Sequence, residues 1–491
     1  MNRCSGILMP LSSLPSPYGI GSMGQAAYDF AEFLEASGQK VWQMLPLGPT
    51  GYGDSPYQSF SSFAGNPYYI DLDLLKKDGL LTDEEIRDCF WGENPRYADY
   101  GALYHARFKV LKAAYDKGKG SFFTEAEDFY KAHEDWLPDY TLFMSLKQHF
   151  NGEPWTAWPE DIRLRKQEAL ERYRSLLKDS CDFYAFLQFL FFKQFKMLKC
   201  IFREHNIRIM GDLPIYAAMD SADVWAAPSL FQLDEDHYPL AVAGVPPDYF
   251  SQDGQLWGNP LYKWEEHARD GYAWWLRRIS GAAECFDIIR IDHFRGFDTY
   301  WSVPASAETA RDGRWMDGPG MDLIRHIQEA FPHIDFVAED LGEPKESLTR
   351  LLEDSGWPGM KVLSFAFDPY TPSIYLPHHH IPNSVCYTGT HDNLPVKAWW
   401  EDQEEAAKDY FARYTHMAEN ETPGAAMLRV GMASPANLFI AQMQDYLELG
   451  GDCFMNKPGT LSGNWRWRML PGEAGKELSE RIRELTRLYE R

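Results

Sequence analysis

The chain has little of what would make it a disulfide scaffold, a nucleic-acid binder or a membrane protein. Its 491 residues contain only seven cysteines, an odd number with no C-x-x-C spacing. That excludes a disulfide framework and the usual zinc site, and it predicts a reducing, cytoplasmic setting. Basic residues are outnumbered, 48 Lys and Arg against 72 Asp and Glu, for a net charge of −24. Phosphate backbones and anionic lipid repel such a surface, so neither nucleic acid nor a membrane is an expected partner. The N-terminal MNRCSGILMPLSSLPS lacks the apolar core of a signal peptide. The most apolar segment, FYAFLQFLFFKQFKML (183–198), is 16 residues long and holds Gln and Lys. It is too short and too polar to span a bilayer and predicts a buried helix. There is no G-x-G-x-x-G, no G-x-x-x-x-G-K-[ST], no internal repeat and no linker-like tract, so nothing favours a nucleotide-binding sheet.

What is abundant is aromatic: 17 Trp, 27 Tyr and 30 Phe. A large core accounts for many of them. The same supply suits sugars, whose C–H faces lie flat on aromatic rings.

Short apolar, β-branched runs recur and end in Gly, Pro, Asp or His. They are GILMPLSSL (6–14), VWQMLPLGPT (41–50), IRIMGDLPIY (207–216), FDIIRIDHF (286–294), DFVAEDLG (335–342), KVLSFAFD (361–368) and SVCYTGTHD (384–392). An eighth, ANLFIAQMQDYL (436–447), fits strand or helix. Helical patterns lie between them at 26–38, 321–331 and 346–356, and another closes the chain at 475–491. Eight strands alternating with helices predict an α/β fold, a (β/α)8 TIM barrel, rather than an open sheet. From 75 to 203 the sequence is helix-like or loop-like throughout, which predicts an inserted, mainly helical subdomain between strands 2 and 3. The segment 225–264, rich in Pro, Gly, Asp and aromatics, reads as a long loop covering a site.

Three acids stand at the ends of these runs: Asp292 in IIRID, Glu339 in DFVAE and Asp392 in TGTHD. In IIRID, a period of two sends Ile289 and Ile291 to one face and Arg290 and Asp292 to the other. Residues at the C-terminal strand ends of a barrel converge on one pocket. Carboxyls that meet there raise at least one pKa, giving one ionised nucleophile and one protonated acid, the pair a retaining glycosidase uses. Each acid also has a plainer reading. Asp292 pairs with Arg290, Glu339 or Asp340 caps a turn, or Asp392 is a turn residue. Divalent-metal binding is a competing chemistry for Asp, Glu and His at strand ends. The tract PHHHIP (377–382) reads as a loop rim rather than a metal site.

RIDHFRG (290–296), AEDLG (338–342), TGTHDN (388–393) and GDLPIY (211–216), with DSPYQSFSSFAGNPYYI (54–70), VAGVPPDYFSQDGQLWGNPLYKW (242–264) and GNWRWR (463–468), together resemble the 4-α-glucanotransferases. These are the amylomaltases or disproportionating enzymes of glycoside hydrolase family 77. The resemblance runs in order along nearly the whole chain. It implies an α-amylase-type barrel that transfers α-1,4-glucan segments between maltooligosaccharide or starch-type chains by double displacement, with glucose as the smallest acceptor. Under it Asp292 is the nucleophile, Glu339 the acid and base, and Asp392 the stabiliser of the transition state. Arg290, His293, His391, Asp212, Ser55, Tyr57, Asp248, Phe250, Trp257 and Asn464 fall to substrate binding and its support, with Pro246 in the loop over the acceptor side. It implies no metal and no cofactor, a short bacterial-type form, and a monomer or homodimer. After HDN this chain reads Leu394-Pro395 where the family commonly has Asp-Thr. A retaining α-glucan hydrolase and a non-catalytic glucan-binding protein are the alternatives. The hydrolase would use the same three acids, and the binding protein would have no need of them.

Overall fold

The computed structural model describes residues 2–51, 53–247, 252–342, 345–460 and 462–491, apart from the side chain of Phe123. Its strands, in chain order, are β1 (Cys4–Leu8), β2 (Val41–Gln43), β3 (Arg208–Pro214), β4 (Ala241–Val245), β5 (Gln255–Pro260) and β6 (Ile288–Asp292). They continue with β7 (Thr299–Pro304), β8 (Arg314–Asp317), β9 (Asp335–Ala338), β10 (Gly359–Val362), β11 (Ser384–Tyr387) and β12 (Leu438–Gln442). Eight strands close a barrel in the order β1-β12-β11-β10-β9-β6-β3-β2. Every neighbouring pair is parallel.

Each of the eight apolar runs supplies one barrel strand. The ambiguous run divides: its first half is β12 and its second half the short helix Met443–Tyr446. The strands read as apolar throughout because both of their faces are covered. Leu8, Met210, Ile288, Val337, Val362 and Ile440 fill the barrel interior. Ile7, Ile209, Ile289 and Ile291 face outward into the layer beneath the helices. Burying each such side chain contributes about 1.5–3 kcal/mol.

The helices expected from periodicity appear as Gln25–Ala36, Gly320–Ala330, Glu346–Ser355 and Lys476–Leu488. Glu346–Ser355 stops at Gly356, whose φ of 66° supplies a left-handed cap. Between β2 and β3 the structure is helical from Leu72–Lys77 to Lys178–Glu204. The last of these helices buries Phe183, Phe186, Leu190, Phe195 and Leu198 along one stripe, as the apolar segment at 183–198 predicts. It packs against the helix Leu137–His149, the helix Gln25–Ala36 and β3. It therefore belongs both to the excursion and to the barrel's own helical layer, and the two share one continuous apolar cluster.

The segment 225–264, expected as an irregular loop, departs from that reading. It carries β4 and β5, which join β7 and β8 in an antiparallel side sheet of order β5-β4-β7-β8. These strands are short. AVAGV has only small side chains at its centre and QLWGNP contains Gly and Pro, so neither shows a clear alternation. Among the described residues, no helix is long and apolar enough to cross a membrane, and all seven cysteines are free thiols.

Candidate active site

The register of the barrel brings the charged residues together. Asp212 on β3 lies opposite Arg290 on β6, and Pro214 opposite Asp292. Arg290 occupies the interior position that Ile288 fills one layer below, as a period of two requires. Its Nη1 donates to both carboxylate oxygens of Asp212 at 2.6 Å and to Oδ1 of Asp292 at 3.0 Å. Its Nε points at the sulfur of Met360, 3.4 Å away. Arg290 is 3% exposed and Asp212 fully buried, while a quarter of the Asp292 side chain remains open. The ion pair and the accessible carboxylate are thus parts of one arrangement. Asp212 takes up the cation and Asp292 keeps an accessible edge.

Glu339 is the first residue past β9. Its Oε2 accepts from the backbone N–H of His293 at 2.8 Å, and its Oε1 from that of Leu341 at 2.9 Å. His293 has a φ of 52°; this left-handed turn at the end of β6 aims its N–H at the carboxyl. The neighbouring Asp340 is occupied elsewhere, accepting from the N–H of Met360 at 2.7 Å.

Burial raises Glu339 to about 7, with the charge of Asp292 adding to it and Arg290 opposing. Burial also raises Asp292, to about 6, against the pull of Arg290. Both carboxyls are thus raised by burial, and Arg290 opposes the rise in each.

Asp392 behaves in the opposite way. It lies in the loop after β11, where Nδ2 of Asn456 donates to its Oδ1 at 2.6 Å. Nε2 of His391 stands 3.4 Å from the same oxygen. Burial opposes ionisation, but His391 and Asn456 outweigh it and hold the carboxyl at about 2. His391 is itself fixed from behind. The Tyr57 hydroxyl donates to Oδ2 of Asp212 at 2.7 Å and meets Nδ1 of His391 at 3.1 Å. A hydroxyl has one hydrogen to give, so Nδ1 of His391 donates to it. Its Nε2 faces Asp392, a setting that favours the doubly protonated ring. Burial opposes that charge and Asp392 overcomes it, raising His391 above the ordinary range. The Tyr57 ring stacks on His391 at 4.8 Å and 23°, and Trp465 closes on both rings.

The Asp392 loop is clamped at both ends by one buried acid. Oγ1 of Thr388 and the N–H of Val396 donate to Asp445 at 2.5 and 2.7 Å. Gln442 donates to the carbonyls of Thr390 and Asn393. Leu394-Pro395 falls inside this clamp, with Pro395 capping the helix Val396–Asp402.

The other predicted residues are less uniform. The His293 ring meets the edge of Trp257 at 4.9 Å. Burial, with Arg295, lowers His293 to about 4, so it is a neutral hydrogen-bonding group at neutral pH. Ser55 accepts from the N–H of Tyr57 at 3.3 Å, shaping the turn that presents that ring. Asn464 is not brought to the carboxyls. Its side chain closes its own loop, accepting from the N–H of Lys457 at 3.0 Å and bonding Thr460. Asp248 and Phe250 lie outside the described residues. Asn456, Trp465 and Asp445 escape a sequence reading. Asn456 stands in FMNKPG, where Asn before Pro and Gly signals only a turn.

Among the described residues, no group of three or more His, Cys, Asp or Glu is arranged to hold a metal ion. In the tract 377–382, His378 bonds the Tyr414 hydroxyl and His380 the Tyr375 carbonyl.

Comparison with known proteins adds to this geometry. The family model of glycoside hydrolase 77, described as 4-alpha-glucanotransferase, matches residues 9–473. The 4-alpha-glucanotransferase of Streptococcus pneumoniae serotype 4 is 46% identical over 496 aligned positions, covering 100% of this chain and 97% of its own. That of Thermus thermophilus is 46% identical over 501 positions, with 100% and 99% covered. Among solved structures, an amylomaltase from Streptococcus agalactiae in complex with acarbose superposes with a TM-score of 0.97 at 40% identity, covering 100% and 99%.

Proposed function

The chain belongs to the 4-alpha-glucanotransferases of glycoside hydrolase family 77, and from that premise we propose that it moves α-1,4-glucan segments between chains by a retaining double displacement. The donors and acceptors are maltooligosaccharides and starch-type chains, with glucose the smallest acceptor.

Asp292 attacks the anomeric carbon of the donor as the bond to the leaving oxygen breaks. Glu339 delivers its proton to that oxygen. The product is a β-glycosyl ester on Asp292. Forming it removes the Asp292 charge, one of the influences that holds the Glu339 proton. Glu339, a carboxylate since it gave up its proton, then takes the proton from the incoming 4-hydroxyl. The new glycosidic bond forms as the ester bond breaks, and Asp292 is restored.

Asp392, ionised throughout, accepts from sugar hydroxyls and faces the positive charge that grows at the anomeric centre. Arg290 steadies the nucleophile before attack and after release. Neutral His293 binds hydroxyls, His391 keeps Asp392 charged, and Tyr57 and Trp257 provide flat apolar walls. The scheme draws on side chains alone and needs no metal or cofactor.

One observation carries the assignment: neighbouring barrel strands set two carboxyls at one end of the barrel, Asp292 held by Arg290 and Glu339 by the backbone N–H groups of His293 and Leu341. The test is incubation with maltotriose in buffer containing a chelator. A ladder of longer maltooligosaccharides plus glucose, with reducing ends constant, is expected. Glucose and maltose alone, with reducing ends rising, would establish a hydrolase instead.

A further inference from the structure

The side sheet has an outward face that the scheme above leaves unused. Residues paired directly across antiparallel strands point to the same side. Leu256 pairs with Gly244, Gly244 with Trp301, and Trp301 with Trp315. These four form one row across the sheet, about 14 Å long at the usual strand spacing. The opposite face is the inner one. It carries Ala243 and Tyr300, both buried, and the Tyr300 hydroxyl accepts from Gln232.

The row is apolar and its two ends are open, whereas Gly244 is buried and Trp301 half-buried. Trp315 is 41% exposed and Leu256 42% exposed. A solvated edge strand ordinarily carries charge at such positions. Gly244 is required where it stands, since a Cβ would lie 2.4 Å from the Gln255 carbonyl oxygen. The Gln255 carbonyl therefore covers the middle of the row, and its open parts are the two ends. The indoles are held firmly: Trp301 donates to the Ala310 carbonyl at 2.8 Å and meets Trp315 edge-on at 5.2 Å and 68°.

The row is joined to the pocket from three directions. Arg295, in the turn after Asp292, lies 4.6 Å from the centre of the Trp315 ring. Lys345, in the segment after Glu339, lies 6.0 Å from it. Trp257, the chain neighbour of Leu256, edges onto His293. A row of three side chains is far below the roughly 1,200 Å² that a stable protein interface buries. An exposed, fixed indole with cationic hydrogen-bond donors beside it matches the alternating C–H faces and hydroxyls of a neutral sugar chain.

We propose that this row, centred on Trp315, is a platform for the distal residues of a long α-1,4-glucan whose reacting bond lies in the pocket. The proposal rests on the transferase reading and adds a chain-length preference to it. A substrate as short as maltotriose ends before the platform, whereas a long glucan reaches it.

The experiment compares the full-length protein with its Trp315→Ala, Trp315→Phe and Leu256→Ser variants, using maltotriose and a long linear amylose as donors. Trp315→Ala is expected to raise KM for amylose about tenfold with kcat unchanged, and to leave maltotriose kinetics as they were. Trp315→Phe should retain most of the amylose affinity. Leu256→Ser, at an exposed position where folding is not at stake, should raise the amylose KM by a smaller factor and again spare maltotriose. Equal changes with both donors would mean that Trp315 merely supports the fold, and that overturns the platform. If Trp315→Ala fails to fold, an unchanged amylose KM in Leu256→Ser overturns it alone. Absence of transfer by the unaltered protein on maltotriose would sink the transferase reading whatever Trp315 does. Normal transfer with no length dependence in the variants would sink only the platform.

Discussion

Two sides of one pocket hold acids of the same kind and treat them differently. Asp292 ends β6 and Glu339 follows β9, so both are set by strands whose register is locked around the barrel. Asp392 sits well beyond β11, on a loop held by Asp445, Gln442 and Asn456. On the strand side, burial raises the carboxyls to about 6 and 7. On the loop side, His391 and the Asn456 amide hold the carboxyl at about 2. Their depth differs as well, since a quarter of the Asp292 side chain and nearly half of the Asp392 side chain are open, and the partners push in the same direction. Arg290 is divided between Asp212 and Asp292 and only partly offsets burial there. His391 faces Asp392 with one ring nitrogen and Tyr57 with the other. Under the proposed scheme Glu339, which gives up and regains a proton, has the first environment, and Asp392, which stays charged, has the second.

The comparison is broken most severely from the strand side. Asp292→Asn is expected to abolish turnover with circular dichroism and melting unchanged. Glu339→Gln should lower kcat by roughly 10²–10⁴. In the unaltered protein, kcat/KM should rise as Asp292 loses its proton near pH 6 and fall as Glu339 loses its own near pH 7. Retention of the alkaline limb in Glu339→Gln would assign that limb elsewhere.

Arg290→Gln comes next. It leaves Asp212 and Asp292 facing each other without the buried cation, at a cost of about 3–5 kcal/mol, read from the urea midpoint. An unchanged midpoint would mean that the cation does not hold this side together.

On the loop side the effect should be smaller. Asn456→Ala removes one charge-assisted hydrogen bond, worth about 1.5–3 kcal/mol, and should appear in kcat while stability is nearly kept. A change confined to KM would place Asn456 in ground-state binding instead.

The smallest effect sharpens the contrast. Glu339 ionises near its ordinary carboxylate value when unfolded and near 7 when folded. The folded state therefore holds the proton more tightly, and stability falls as pH rises between those values. Glu339→Gln should flatten that slope in denaturation measured from pH 4 to 8. Asp392, shifted the other way, adds stability at every pH above its unfolded value and loses it only in strong acid.

The strand side was also the legible side. Apolar runs covered on both faces announce barrel strands, and a charge breaking such a run at its end announces the pocket. Period two was enough to turn Arg290 and Asp292 inward. The side sheet was hidden because β4 and β5 are short and contain small residues and Gly, and their partners β7 and β8 come from beyond β6. Asn456 was hidden because its role depends on a loop meeting another loop 64 positions away in sequence, which no local pattern encodes. Asn464, a residue of a recognisable motif, proved to shape its own loop rather than touch the acids.

The clamp on the Asp392 loop has a consequence for synthesis. Asp445 and Gln442 stand at the end of β12, the last strand to be made and the one that closes the barrel between β11 and β1. Asp292, Glu339 and Asp392 all leave the ribosome earlier. Until 438–446 follow them, the loop bearing Asp392 has nothing to fasten it and the barrel remains open to water. The nascent protein thus carries these acids unassembled from the synthesis of Asp292 until 438–446 follow, and the pocket is completed late, when the wall that closes it arrives.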